Sequence, residues 1–256
     1  MSLNKIGQAL YPLAGTLVLL ACWHFYVIGF HVSIAVLPRP LLVWDQIVAA
    51  RDVLLSQGWI TLKECVYGFV LAFVLGVPLA VAVANSRILN QTFYPILIAL
   101  QSVPKVALAP IILVWLGVGL ESKLAIAWLV AFFPIVVDTA AGLRATPRDL
   151  LELAQSLRAT RFQIFLKIQF PAALPFVMAG SKVAITLAGI GAVIGEFVGS
   201  SEGLGNLLLV ANSQVNTPLA FAALFALAAL GILLYAAVAL VELALSPLLP
   251  PDARRA

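Results

Sequence analysis

This sequence specifies an all-α polytopic membrane helix bundle with six transmembrane helices. Its 256 residues are 63% hydrophobic and only 10% charged, whereas soluble domains carry about 25% charged residues. A soluble core is therefore excluded. Uncharged runs recur along the chain, and its length leaves room for about five to seven spans of roughly 20 residues with short connections. Only one long stretch in the middle, residues 146–175, is both charged and helix-patterned. The formal charge of +4 and pI near 9.3 do not imply a nucleic-acid partner, because no basic cluster is interleaved with aromatics. Loop charge that orients a membrane protein accounts for both.

The first span is expected over 10–30. Lys5 ahead of a run ending in Leu19-Leu20-Ala21-Cys22 mimics a lipoprotein signal, but no Lys, Arg, Asp or Glu occurs from Ile6 to Pro38 and the apolar run continues through Phe30. That length reads as a retained span, not the short core of a signal peptide. Pro38-Arg39-Pro40 breaks the chain. Leu41, Trp44, Ile47, Val48, Leu54 and Leu55 then share one face of a helix with Asp45, Arg51, Asp52 and Ser56 opposite, which fits the membrane interface. The second span opens at Thr61-Leu62-Lys63 and carries Gly68, Ala72 and Gly76 every four residues, a stripe for close helix packing.

Asn85-Ser86-Arg87 leads to the third span, which contains Pro95, Pro104 and Pro110 beside Gln101 and Lys105. Prolines free carbonyls that must find protein or water partners, so a bend that lines a cavity is expected here. Lys105 has 17 uncharged residues before it and 15 after, and an ionisable group at that depth marks a transport path or pairs within the bundle. The fourth span runs over 124–143, bent at Pro134, with Asp138 near its end. The fifth, 174–199, carries Gly191, Gly195 and Gly199 as a second stripe, and Lys182 and Glu196 sit about 21 Å apart near one face. They read as the two ends of one bundle-facing strip. A polar stretch through Asn216 precedes the sixth span, 218–241. Cys22, Cys65, His24 and His31 show no metal-ligand or redox spacing.

In the stretch 146–175, Thr146, Pro147 and Asp149 read as a capping box with proline at the first helical position. Leu150, Leu153, Ala154 and Leu157 recur at helical spacing, with Arg148, Asp149, Glu152 and Gln155 off that face. Thr160 and Gln163 repeat the cap and start a second short helix, which Pro171 is expected to stop. Helix, three-residue turn, helix is the expected form.

Glu152-Leu153-Ala154, the turn Leu157-Arg158-Ala159-Thr160 and the closing Phe170-Pro171-Ala172-Ala173-Leu174-Pro175 resemble the "EAA" cytoplasmic loop of ABC importer permeases. The segment 61–84 with Gly68-Phe69, and Ser200-Ser201-Glu202-Gly203-Leu204-Gly205 after the fifth span, resemble the same family, so the likeness covers about 61–241. It implies a type I importer permease fold, and a first loop helix seated in a groove of a separate ATPase. Glu152 and Arg158 would supply polar contacts there, with Leu153, Ala154, Leu157 and Ala159 completing the coupling surface. Two residues depart from the family pattern. Leu153 replaces its middle alanine, and Arg158 replaces a glycine whose left-handed backbone costs another residue roughly 1 kcal/mol.

The resemblance also implies the partners: ABC ATPase subunits, an extracytoplasmic solute-binding protein and a second permease subunit, identical in a homodimer, all in membrane lipid and with no nucleic acid. No cofactor is expected in this chain; ATP with Mg belongs to the partner ATPase. Gln101 and Lys105 are the candidate path residues, and no catalytic or metal residue is assigned. The Gly180-Ser181-Lys182 run has Pro175 where a G-x-x-x-x-G-K-[ST] loop needs its first glycine, and no nucleophile elbow or carboxylate pair is present.

Nine of the fifteen Lys and Arg residues, Lys5, Arg87, Arg144, Arg148, Arg158, Arg161, Lys167, Arg254 and Arg255, fall on one side, against Arg39, Arg51, Lys63 and Lys123 on the other. The positive-inside rule then sets the 146–175 loop and both termini in the cytoplasm of a multi-pass protein of a bacterial inner membrane. The parts are 1–60, first span and interfacial helix; 61–246, permease core with loop 144–173; and 247–256, cytoplasmic tail. The function expected is ATP-driven import of a small solute, of the nitrate, sulfonate and taurine group or of the pyrimidine and riboflavin group. The alternative, an ion-coupled secondary transporter, predicts an internal repeat with buried acids, and the two halves show no convincing repeat.

Overall fold

A computed structural model describes residues 3–245, with side chains from Tyr11 onward except at positions 12 and 13. The expected tail 247–256 and the Lys5 side chain lie outside the described residues. Eleven α-helices follow one another with no strand among the described residues: α1 Leu3–Gly29, α2 Pro40–Ala49, α3 Arg51–Asn85, α4 Arg87–Gln101, α5 Ala109–Leu116, α6 Leu120–Arg144, α7 Arg148–Ser156, α8 Arg161–Ile164, α9 Phe170–Gly199, α10 Leu204–Ser213 and α11 Thr217–Leu245. Four runs are long and apolar enough to cross a bilayer: Arg51–Asn85, Leu120–Arg144, Arg161–Gly199 and Thr217–Leu245. Arg87–Gln101 with Lys105–Leu116, bent by 87°, adds a fifth if taken as one broken span. The expected first span lies in α1, whose side chains are described only in part.

The expected boundaries shift in three places. The interfacial helix ends at Ala49, and α3 starts at Arg51 and runs 35 residues. Nothing between Arg51 and Thr61 breaks a helix, so the second span begins a full ten residues before Thr61. Pro171 does not stop a helix either: a π-turn over Phe165–Gln169 joins α8 to α9, with Pro171 in the first turn of α9. A π-turn shifts the bonding register, and it comes where proline lacks an N–H to give back to the preceding turn. The polar stretch after the fifth span contains α10, whose Leu204, Gly205 and Ala211 are buried.

Three helices form the core. Helices α6 and α9 run antiparallel, and α3 lies parallel to α6, so that Gly68 faces Ala127, Gly76 faces Ile135, Gly191 faces Ala127 and Gly195 faces Lys123. Lipid offers apolar groups as good a surface as another helix does, so close backbone approach and dispersion hold such bundles together. Both expected stripes serve that purpose: a methyl on Gly191 would sit 2.7 Å from the Ala127 Cα. Helix α11 is peripheral, burying only Thr217, Ala222, Ala223, Leu234 and Val238 of its 29 residues. It is tied to α1 by Trp23 against Phe221 and Phe225, to the loop after α1 by the Thr217 hydroxyl donating to the Ala35 carbonyl at 2.8 Å, and to α9 by an ion pair between Lys182 and Glu242.

That ion pair corrects the expected strip. Lys182 turns to α11 while Glu196 turns to α3 and α10, because the roughly 40° between them on the helix is enough to aim at different neighbours.

Candidate functional site

The loop 145–169 sits at the end of the bundle where α6 stops and α9 begins. Helix α7 is built by local chemistry at both ends, though not as expected at its start. Thr146 is buried and its hydroxyl donates to the Leu143 carbonyl at 3.1 Å. It closes α6 instead of capping α7, because an orphan carbonyl at a helix end competes for the same hydroxyl. The cap position falls to Pro147, with extended ψ of 133° and no side-chain bond.

At its far end α7 closes in a Schellman motif: the Ala159 N–H donates to the Ala154 carbonyl at 3.0 Å and the Arg158 N–H to the Gln155 carbonyl at 2.9 Å. That motif needs a left-handed residue after the cap, and Arg158 supplies it with φ of 59°. The turn is thus left-handed at Arg158, which accepts the strain. Thr160 then caps α8 as expected: its hydroxyl accepts from the Gln163 N–H at 3.3 Å, and the Gln163 side chain accepts from the Thr160 N–H at 2.9 Å.

Both ends being fixed, α7 presents a defined face. Leu150, Leu153 and Leu157 are 47%, 58% and 74% exposed, while Ala154 is buried against the chain itself. Glu152 and Arg158 are exposed beside them, and Ala159 is half-buried. Phe162 is 71% exposed across a cavity of about 560 Å³ lined by Leu151, Gln155, Arg161 and Phe165. Arg144, at the base of the loop, stacks on the Tyr94 ring at 3.8 Å and donates to Asn90 Oδ1 at 2.8 Å, tying α4 to the same end.

Gln101 and Lys105 come together at the break between α4 and the turn Lys105–Leu108. The Lys105 ammonium donates to the Gln101 carbonyl at 3.1 Å and lies 5.0 Å from the Phe133 ring centre. Gln101 is exposed and Lys105 half-exposed, midway along α6 as judged by Phe133.

The opposite end holds a cluster that sequence reasoning missed. Glu64, fully buried, accepts from Lys123 at 2.8 Å, and Lys123 is 8% exposed. Lys123 was counted among outward loop charges; it belongs inside the bundle. Beside the pair, Glu196 is fully buried and accepts from the Thr61 hydroxyl at 2.6 Å and the Gly205 N–H at 2.5 Å. The Leu204 N–H donates to Thr61 Oγ1 at 2.9 Å and the Gly203 N–H to Gln57 Oε1 at 2.5 Å. Three successive N–H groups at the start of α10 are thereby satisfied, and the positive end of that helix faces the Glu196 carboxylate. Gly203 has φ of 102°, and any side chain there would run into that carboxylate. A signal existed in Glu64, a charge one turn into an apolar run, but its partner is 59 positions away.

Residues 72–247 match the family model described as "binding-protein-dependent transport system inner membrane component". The chain is 35% identical to the formylaminopyrimidine transport permease protein ThiX of Halalkalibacterium halodurans, over 96% of this chain and 98% of that one. It is 36% identical to the riboflavin transport system permease protein RibX of Chloroflexus aurantiacus, over 81% and 78%, and 31% identical to the putative aliphatic sulfonates transport permease protein SsuC of Bacillus subtilis, over 88% and 82%. Among solved structures, a chain of the inward-facing MetNI methionine ABC transporter superposes with a TM-score of 0.66 at 23% identity, covering 77% of this chain and 97% of that one. That likeness concerns the fold.

Proposed function

The chain belongs to the binding-protein-dependent transport system inner-membrane component family, and from that membership we infer that α7 is the surface through which a separate ATPase drives it. It is a permease subunit of an ABC importer, a multi-pass membrane protein that works with an ATPase and a solute-binding protein. The relatives give no support to an ion-coupled transporter acting alone.

One observation carries the coupling assignment: a nine-residue helix, locked at its far end by a Schellman motif and followed by a capping box, keeps three leucines in the open. Isolated helices this short are unstable in water, so a fixed geometry with an apolar face suits a partner's groove. Leu150, Leu153 and Leu157 pack into the ATPase, and Glu152 and Arg158 make the polar contacts at its rim. Ala154 faces inward and seats the helix on its own chain, and the Ala159 amide holds the turn. ATP with Mg is bound and split in the partner. The loop and both termini are cytoplasmic, in keeping with the excess of Lys and Arg on that side.

A second, identical permease subunit completes the path. Gln101, exposed, and Lys105, half-exposed, support this, lying at an 87° break on a single subunit. The cargo is a small solute with a heteroaromatic ring, pyrimidine- or flavin-like, ahead of a sulfonate or nitrate; this rests on the higher identity to ThiX and RibX than to SsuC. Ligand binding by the receptor encoded beside this gene tests the cargo.

For coupling, the variant Glu152→Lys with Arg158→Glu, reconstituted with the ATPase and binding protein, is expected to insert normally and hydrolyse ATP without uptake. Normal uptake would remove both residues from the contact. Uptake by the chain alone on a proton or sodium gradient would overturn the importer reading.

A further inference from the structure

Helices α6 and α9 carry the α7 loop at one end; about 37 and 45 Å away along their axes they carry the polar cluster and the turn at Ser200–Gly203. A push on α7 is of use only if it arrives there. Two kinds of contact bear on whether it does. Along their length α3, α6 and α9 approach closely at Gly68 and Gly191, against the backbone and methyl of Ala127, and at Gly195, against Lys123. At the far end, just beyond Gly195, the Glu64–Lys123 pair joins α3 to α6, Glu196 joins α9 to α3 through Thr61, and the same carboxylate holds the Gly205 amide at the start of α10. Gln57 holds Gly203 one turn earlier on α3.

A buried ion pair adds little stability over apolar residues of the same size. Its directed bonds instead fix which groups face each other and in what register. The pair also lines a cavity of about 520 Å³ shared with Lys63, Tyr67, Ser201 and Glu202, which opens on the end away from α7.

We propose that Glu64, Lys123 and Glu196 are positioning residues for transport: they bind α3, α6 and α9 into one body at the end far from α7, so that displacement of the loop is delivered to the 200–205 turn and its cavity. Without them the same displacement is spent in slip between helices, and ATP is hydrolysed with less solute moved. The proposal rests on the coupling role given to α7.

The test uses the complete transporter in proteoliposomes with its binding protein, reading ATP hydrolysed per solute imported. Replacing the pair by uncharged groups of similar size, Glu64→Gln with Lys123→Met, is expected to keep stimulated hydrolysis within about twofold and raise ATP per solute about fivefold or more. The exchanged pair, Glu64→Lys with Lys123→Glu, restores the wild-type ratio. Gln57→Ala strands no buried charge and removes only the acceptor for Gly203; it is expected to raise the ratio about twofold, and it decides the matter if the paired variant does not assemble. A purely structural role lowers hydrolysis and uptake in parallel with the ratio unchanged, and that result overturns the proposal. A wild-type complex that imports nothing on ATP overturns the importer reading itself, and this one with it.

Discussion

Alanine at Gly68 separates a packing glycine from an incidental one. The new methyl would stand 2.5 Å from the Ala127 Cβ and 3.2 Å from the Trp128 nitrogen, whereas carbon atoms settle about 3.5–4.0 Å apart. Neither neighbour has a rotamer to yield, so α3 must lift off α6, an overpacking that costs about 1–3 kcal/mol. Against it stands the helix preference of alanine, about 0.5–1 kcal/mol. Gly231 in α11 has nothing within 4 Å of its added Cβ, so Gly231→Ala collects only the gain. The two variants therefore differ by about 1–3 kcal/mol, which for a chain of this size is about 2–12 °C in melting temperature. Cys65 is buried in the core cluster, and in a Cys22→Ala background its reaction with a fluorescent maleimide during heating reports opening. Gly68→Ala is expected to release Cys65 several degrees below Gly231→Ala. Equal or later release would refute the claim that the glycine stripe sets the α3–α6 distance.

Arg158→Gly removes the left-handed cost of an L-residue, about 1 kcal/mol or somewhat more. Hydrogen exchange at the Ala159 amide is expected to slow about fivefold; faster exchange would contradict the strained turn. Thr160→Ala deletes one half of the α8 capping box, worth about 1 kcal/mol, and should speed exchange at the Gln163 amide while leaving α6 amides unchanged. Lys123→Met alone strands the buried Glu64 carboxylate at a cost of about 3–5 kcal/mol, and the monodisperse yield should fall sharply. Adding Glu64→Gln should recover most of that yield, and equal yields from the single and double variants would count against a buried pair.

Features set by near neighbours in the chain were legible in the sequence. Thr160 and Gln163 cap as their spacing implies, because donor and acceptor lie three residues apart and nothing else reaches them. The Gly68 and Gly191 stripes were readable because a four-residue period needs no knowledge of the partner helix. Thr146 was misassigned because the carbonyl its hydroxyl donates to, Leu143, belongs to the previous helix, and spacing alone cannot rank that acceptor against the N–H donors of α7. Pro171 was misread as a stop because a π-turn can absorb its missing donor without ending the helix. Helix α10 was hidden by its polar flanks. The cluster at the far end joins residues 59 and 135 positions apart, so only the fold brings Glu64 to Lys123 and Thr61 to Glu196. Charge counting assigned Lys123 to a loop for the same reason.

The central claim is that a partner's nucleotide cycle works this chain through the exposed leucines of α7. A photo-crosslinking residue at Leu153, in inverted vesicles containing the assembled transporter, is the direct measurement. The account predicts an adduct with the ATPase subunit whose yield changes between nucleotide-free and ATP-bound states. An ATPase that forms no adduct, with Leu153 instead labelled by an impermeant reagent applied to the outside of intact cells, would contradict it.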